Sequence, residues 1–271
     1  MVLFVERHVV TDDAVSIVYG VRAATRPSAP RVALIHSLAL DHTFWTPVAT
    51  IVDGSMALLA IDCRGHGRSG RSAEPFTVDR MADDLAAALD HAGWDRVVVA
   101  GCSMGGCVAM AFAARHPDRT AGLVAIDTTA WYGPDAPEAW AARSARARTG
   151  GMTALLPFQH DRWLSPSFRA GNPDVEAAAD AVFVRTDVTC FDAACAMLGA
   201  TDLRETIRGI RAPTTVLVGA DDTATPPAMA EDIARRIPAA TLQVLAGVRH
   251  LAPLERPDQI VAVLNRHSVL R

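Results

Sequence analysis

The sequence predicts an α/β protein: a mostly parallel central sheet covered by helices on both faces, with a helical cap inserted late in the chain. Three observations predict it. Apolar, β-branched runs of strand length recur at 32–35, 56–61, 97–100, 121–126, 214–218 and 241–245. Segments of helical periodicity separate most of them through short loops, the alternation that gives parallel, doubly covered sheets. Between 128 and 205 the alternation stops, and an alanine- and arginine-rich stretch carries helical spacing alone. The expected division is a first core part at 1–127, the cap at 128–207 and a second core part at 208–271.

Taken in order, 3–10 and 14–19 alternate apolar and polar residues around Asp12-Asp13 and read as an opening antiparallel hairpin. A polar loop with Pro27 and Pro30 leads to the strand at 32–35, then a helix is expected over 43–52. The strand at 56–61 ends in a glycine-rich loop, Asp62-Cys63-Arg64-Gly65-His66-Gly67-Arg68-Ser69-Gly70. Thr77 is a suitable N-cap for a helix over 77–91. The strand at 97–100 meets a sharp turn and a helix over 107–116, stopped by Pro117. Cap helices are expected at 137–148, 153–158, 175–184 and 192–198, and later helices at 228–236 and 257–266. Ligands on such sheets gather beyond the carboxyl ends of the strands, where every motif below falls.

Composition bounds the function. With 271 residues, 50% of them hydrophobic, the chain can bury a large core. A net charge of -4 with 21% charged residues gives no basic surface for nucleic acid or an anionic membrane. No apolar run approaches the roughly 18 residues of a membrane span, and the start, with Glu6 and Arg7, lacks a signal-peptide layout. A cytoplasmic location is the expectation. The five cysteines have no metal-ligand spacing and read as buried small hydrophobes, and no metal or organic cofactor is expected. All 26 basic residues other than histidine are arginine, which removes Schiff-base and lysine-base chemistry.

What remains points to a serine nucleophile. Gly101-Cys102-Ser103-Met104-Gly105-Gly106, between a strand and a helix, has the small-x-Ser-x-small-small pattern of a nucleophile elbow. Glycines are needed because a serine at so tight a turn leaves its neighbours no room for a Cβ. A serine hydroxyl needs a base and a group orienting that base. Of nine histidines, His8, His91, His116 and His267 fall on strand or helix surfaces, and His160 lies in the cap. His36, His42 and His66 fall in loops suited to structural roles. His250, after the last core strand, can reach back over Ser103. For the acid, Asp221, Asp222 and Asp127 all stand at strand ends. Asp222 fits best, since the Gly219-x-x-Asp222 spacing clears the strand. The oxyanion donors expected are the backbone N–H groups of Met104 and Leu38, the latter from a loop without glycine. Cys102 should point into the core, away from Ser103, and serve packing.

The elbow, the Gly-x-x-Asp stretch before Pro226-Pro227 and the late histidine resemble the α/β-hydrolase superfamily over essentially the whole chain. More narrowly, the chain is similar to the 3-oxoadipate enol-lactonase group. The matching residues are Ser37-Leu38-Ala39-Leu40-Asp41 with Trp45, the 62–69 loop, and in the cap Trp140-Ala141-Ala142-Arg143, Arg162-Trp163 and Phe168. That group usually carries glycine where Ala39 stands and a larger apolar residue where Cys102 stands. The resemblance implies opening of a small carboxylate-bearing lactone, in aromatic catabolism, through an acyl-enzyme. Arg143 is then the candidate for the substrate carboxylate, with Trp140 and Trp163 as apolar walls. The bland alternative for Arg143, Arg146 and Arg148 is a solvated helix face. Carboxylesterases, carbon–carbon bond hydrolases, cofactor-free perhydrolases and acyltransferases share this triad, and a non-catalytic receptor can retain it.

Overall fold

The computed structural model describes residues 3–72 and 74–269, so Met1 and Val2 of the amino-terminal reading lie outside it. Eight strands form one sheet: β1 (Val5–Val10), β2 (Ser16–Arg22), β3 (Arg31–Ile35), β4 (Ala57–Ile61), β5 (Val97–Cys102), β6 (Thr120–Ile126), β7 (Thr214–Gly219) and β8 (Thr241–Leu245). Their spatial order is β1-β2-β4-β3-β5-β6-β7-β8. The β1–β2 and β2–β4 pairs are antiparallel, and every other neighbouring pair is parallel. β5 lies mid-sheet with all six residues buried, which explains its unbroken β-branched run.

The core helices are α1 (Thr46–Val52), α2 (Val78–His91) and α3 (Met104–Arg115); the insertion between β6 and β7 holds α4 (Ala136–Gly150), α5 (Leu156–Trp163), α6 (Pro166–Gly171), α7 (Pro173–Phe183) and α8 (Val188–Ala200). The chain then adds α9 (Pro227–Arg236), α10 (Ala252–Glu255) and α11 (Pro257–Val269). α1 packs on α11 and α2 on α3, while α4 lies along α8. Thr77 caps α2 as expected, its hydroxyl accepting the Arg80 amide. Where the insertion leaves and rejoins the core, Trp131 and Asp202 form an isolated antiparallel bridge.

The structure differs from expectation at a few points. The segment 43–52 is split into a 3-10 turn, His42–Trp45, and α1. α3 begins three residues early, directly after Ser103. α6 and α10 are too short for a periodic signal to register. His267, expected on a helix surface, is buried: its Nε2 lies 2.9 Å from Thr215 Oγ1, and a Cβ on Gly122 would come within 2.7 Å of its Nδ1.

One buried ion pair locks the first glycine-rich loop to α2. Arg64 bonds Asp84 through Nε (2.7 Å) and Nη2 (2.6 Å), with both side chains 1% exposed. Burial pushes the Asp84 carboxyl up, against the lowering effect of Arg64. Asp84→Ala should cost about 3 kcal/mol, the lower end for breaking a buried pair, because Asp13 and Ser72 still bond Arg64 Nη1. The urea midpoint measures this, and turnover per folded molecule should stay unchanged.

Candidate active site

The elbow is built from close approaches. A Cβ on Gly101 would lie 1.9 Å from the Gly105 carbonyl oxygen, and one on Gly105 would lie 2.2 Å from that of Ile35. A Cβ on Gly106 would come within 2.5 Å of the side chain of Thr128, whose hydroxyl donates to the Ser103 carbonyl at 2.7 Å. Ser103 itself has φ 56° and ψ -117°, a strained conformation for a residue with a Cβ. Its surroundings hold it there. The Ser103 amide donates to Ile126, and its carbonyl also accepts the Gly106 and Cys107 amides.

The side chains of Ser103, His250 and Asp222 form one hydrogen-bonded series, all three buried. His250 Nε2 lies 2.9 Å from Ser103 Oγ, and His250 Nδ1 lies 2.8 Å from Asp222 Oδ2. The Asp222 carboxylate also accepts the Ala224 and Thr225 amides (2.7 and 3.0 Å) and the Thr225 hydroxyl (2.8 Å). Burial disfavours its ionised form, but His250 and the Thr225 donors outweigh burial and hold the carboxyl below its ordinary range. With the carboxylate on Nδ1, the imidazole carries its proton there, leaving Nε2 to accept from Ser103.

Of the three acids left open by the sequence, Asp222 is the one bonded to the imidazole. Asp221 is exposed. Asp127 is fully buried and receives the Gly219 and Ala252 amides, 2.9 Å each, so it ties the end of β7 to α10. Burial, then the neighbouring Asp222 charge, pushes the Asp127 carboxyl well up. The Cys102 thiol lies under His250, 3.7 Å from its carbonyl oxygen, and burial with the Asp127 and Asp222 charges keeps it from ionising.

Beside Ser103, the Leu38 and Met104 amides have no acceptor among the described residues. His36 orients the first. Its Nε2 accepts the Cys63 amide (3.0 Å), so its Nδ1 donates to the Ser37 carbonyl (2.8 Å), which also accepts the Leu40 amide (3.1 Å). In a trans peptide the N–H points opposite the C=O, so pinning the Ser37 carbonyl fixes the direction of the Leu38 N–H. Met104 opens α3, where N–H groups lack helical partners and the helix dipole favours negative charge.

A cavity of about 260 Å³ lies over Ser103 and His250, and Leu38, Trp140, Arg143 and Trp163 line it, as do Tyr132, Gln159 and Arg162. The cap is fastened to the loop of His250: the His250 and Leu251 amides donate to the Arg162 and Trp163 carbonyls. Arg143 stacks on Trp140 (4.2 Å to the ring centre) and on Phe158 (4.8 Å), and Arg162 also covers Phe158 (4.4 Å). Neither guanidinium has a carboxylate within ion-pair distance among the described residues, whereas Arg148 pairs with Asp192 at 2.6 Å. Burial, then repulsion from Arg162, lowers Arg143 to about 10, still cationic at neutral pH. The solvated-face reading therefore holds for Arg148 and the exposed Arg146 but not for Arg143. Arg162 escaped the sequence reading as a cavity residue. Its position beside Trp163 was the available signal.

Asp41, His42 and Asp62 have ligand atoms within 4.8 Å of one another, the geometry of a metal group. Their atoms are engaged in joining two loops: Asp62 accepts the His42 amide, His42 Nδ1 and the Arg68 amide, and Asp41 caps the 42–45 turn. No helix among the described residues is long and apolar enough to cross a membrane.

Fold and site together define an enzyme of the hydrolase class on an α/β sheet. Residues 30–257 match the family model described as alpha/beta hydrolase fold, and the chain belongs to that family. It is 28% identical over 251 residues to a 3-oxoadipate enol-lactonase of Acinetobacter baylyi, covering 90% of this chain and 93% of that one. The enol-lactonase structure from Burkholderia xenovorans superposes with a TM-score of 0.90 at 30% identity, over 96% of this chain and 99% of that one. A malate-bound thermophilic esterase from Thermogutta terrifontis gives a TM-score of 0.88 at 28% identity, over 97% of each chain.

Proposed function

We propose that the chain opens a small lactone or carboxylic ester bearing a free carboxylate, with 3-oxoadipate enol-lactone as the substrate of choice in aromatic catabolism. The observation that carries this reading is a pair of arginines, Arg143 and Arg162, without carboxylate partners among the described residues, lining the same small cavity as Ser103 and His250. Cations in an enclosed site call for an anion, and guanidinium groups suit a carboxylate. The similarity to two enol-lactonases supports the lactone; the malate held by the Thermogutta esterase is itself a small dicarboxylate.

In the proposed mechanism His250 removes the Ser103 proton as Oγ attacks the lactone carbonyl, and the Leu38 and Met104 N–H groups receive the developing oxyanion. The ring C–O bond breaks, the enol oxygen takes the proton from His250, and the enol becomes a ketone. Water, deprotonated by His250, then attacks the acyl-enzyme and releases the acid with Ser103 reprotonated. Asp222 holds the imidazole tautomer and stabilises its cation. Trp140 and Trp163 wall the ring while Arg143 holds the carboxylate.

The test follows ultraviolet loss of 3-oxoadipate enol-lactone beside p-nitrophenyl acetate. Preferred turnover of the lactone is expected, and ester cleavage with no lactone opening overturns the substrate. Arg143→Ala should raise KM for the lactone about 10- to 100-fold, from about 1.5–3 kcal/mol for a charge-assisted bond, and leave that for the neutral ester nearly unchanged. Similarity to the Thermogutta enzyme favours plain carboxylesterase as the second reading.

A further inference from the structure

The loop that carries the Leu38 amide contains a residue in an unfavourable conformation. Ser37 to Leu40 form a turn closed by the Leu40 amide on the Ser37 carbonyl, and its third residue, Ala39, has φ 60°. Glycine ordinarily fills that position, because a Cβ is strained there. Ala39 is fully buried, and its carbonyl accepts the hydroxyl of Thr186 at 3.1 Å. Thr186 belongs to the cap, in the turn between α7 and α8. That turn is anchored: Asp187 caps α8 through the Thr189 and Cys190 amides and pairs with Arg71 at 2.7 Å, while Arg185 lies 3.7 Å from Asp41.

We infer that Thr186 is a positioning residue for the oxyanion donor, acting through two peptide units in series. Thr186 donates to the Ala39 carbonyl. The N–H of that same peptide, on Leu40, donates to the Ser37 carbonyl, and the N–H of the Ser37 peptide is that of Leu38. Each trans peptide accepts on one side and donates on the other, so the hydroxyl orients both planes. Donation to each carbonyl also polarises the next N–H, since serial hydrogen bonds strengthen one another. The cap thus contributes to the chemistry by aiming a backbone amide of the core, besides lining the cavity. His36 steadies the second plane from within the core, and Thr186 steadies the first from the cap. This inference rests on the proposed role of the Leu38 amide.

Thr186 lies in a partly exposed turn, so Thr186→Val keeps the shape and removes only the hydroxyl. On p-nitrophenyl acetate, kcat should fall about 3- to 10-fold with KM unchanged, and Thr186→Ser should recover most of the loss. A cooperative melt, lowered by no more than the few degrees that one lost hydrogen bond costs, accompanies this result. A KM effect alone, equal loss in the serine variant, or unchanged kcat overturns the relay. Independently of turnover, the Leu38 amide proton should move upfield when Thr186→Val is made in a Ser103→Ala background. An unmoved resonance contradicts the inference. If the unsubstituted protein neither cleaves the ester nor reacts with a fluorophosphonate, the hydrolase site itself fails, an outcome distinct from either.

Discussion

Ser103→Ala should abolish ester and lactone turnover, by about 10⁴- to 10⁶-fold, while leaving the fold in place. The magnitude follows from how nucleophile and base act as one unit: without Oγ there is no acyl-enzyme, and His250 has nothing to deprotonate except misplaced water. In the proposed mechanism, what survives comes from binding and from the Leu38 and Met104 amides, which still polarise a bound carbonyl. Folding should not suffer. Alanine keeps the Cβ that Ser103 already carries at φ 56°, and the bonds holding the turn run through its backbone. A steady-state assay with a circular-dichroism melt separates the two effects. Turnover within tenfold of the parent would remove Ser103 from the chemistry.

Asp222→Asn should cost about 10⁴-fold in kcat with little change in KM, for a different reason. An asparagine is nearly the same shape, so His250 stays in place. Its amide, however, can present N–H to the imidazole, stabilising the tautomer whose proton sits on Nε2 and faces Ser103. The Thr225 hydroxyl, 3.3 Å from His250 Nδ1 and 2.8 Å from Asp222, cannot supply the missing charge. Stability should also lose part of its pH dependence. The folded Asp222 carboxyl titrates below its ordinary value, so its contribution is full at neutral pH and lost as pH falls through that lowered pKa. Asp222→Asn should flatten the acid side of the stability profile. An unflattened profile, or an activity loss below tenfold, would speak against Asp222 as the orienting acid.

The fold was largely legible because its signals are local. The run at 97–100 reads as a buried strand because β5 is buried on both faces, and the glycines around Ser103 are read directly as close approaches. Asp222 and His250 were legible because each stands just past a strand. Asp127 and Asp222 could be ranked by spacing, but their separation into a loop tie and a histidine partner depends on which amides converge on each carboxylate. Thr186 was not legible, and Arg162 was legible only as the neighbour of Trp163, not as a cation of the cavity. Their importance arises where the cap meets the core, across 61 residues from Arg162 to Thr223 and 147 from Thr186 to Ala39. His267 was misjudged for a related reason: the space it fills is left by Gly122 on another element.

The proposed chemistry depends above all on a covalent intermediate at Ser103. Mixing the protein with a slowly deacylating p-nitrophenyl ester, quenching in acid and measuring intact mass with peptide mapping tests it directly. One acyl group should appear on the peptide containing Ser103, with a burst of p-nitrophenol equal to the enzyme present. Turnover with no adduct, or an adduct that persists in Ser103→Ala, would contradict it.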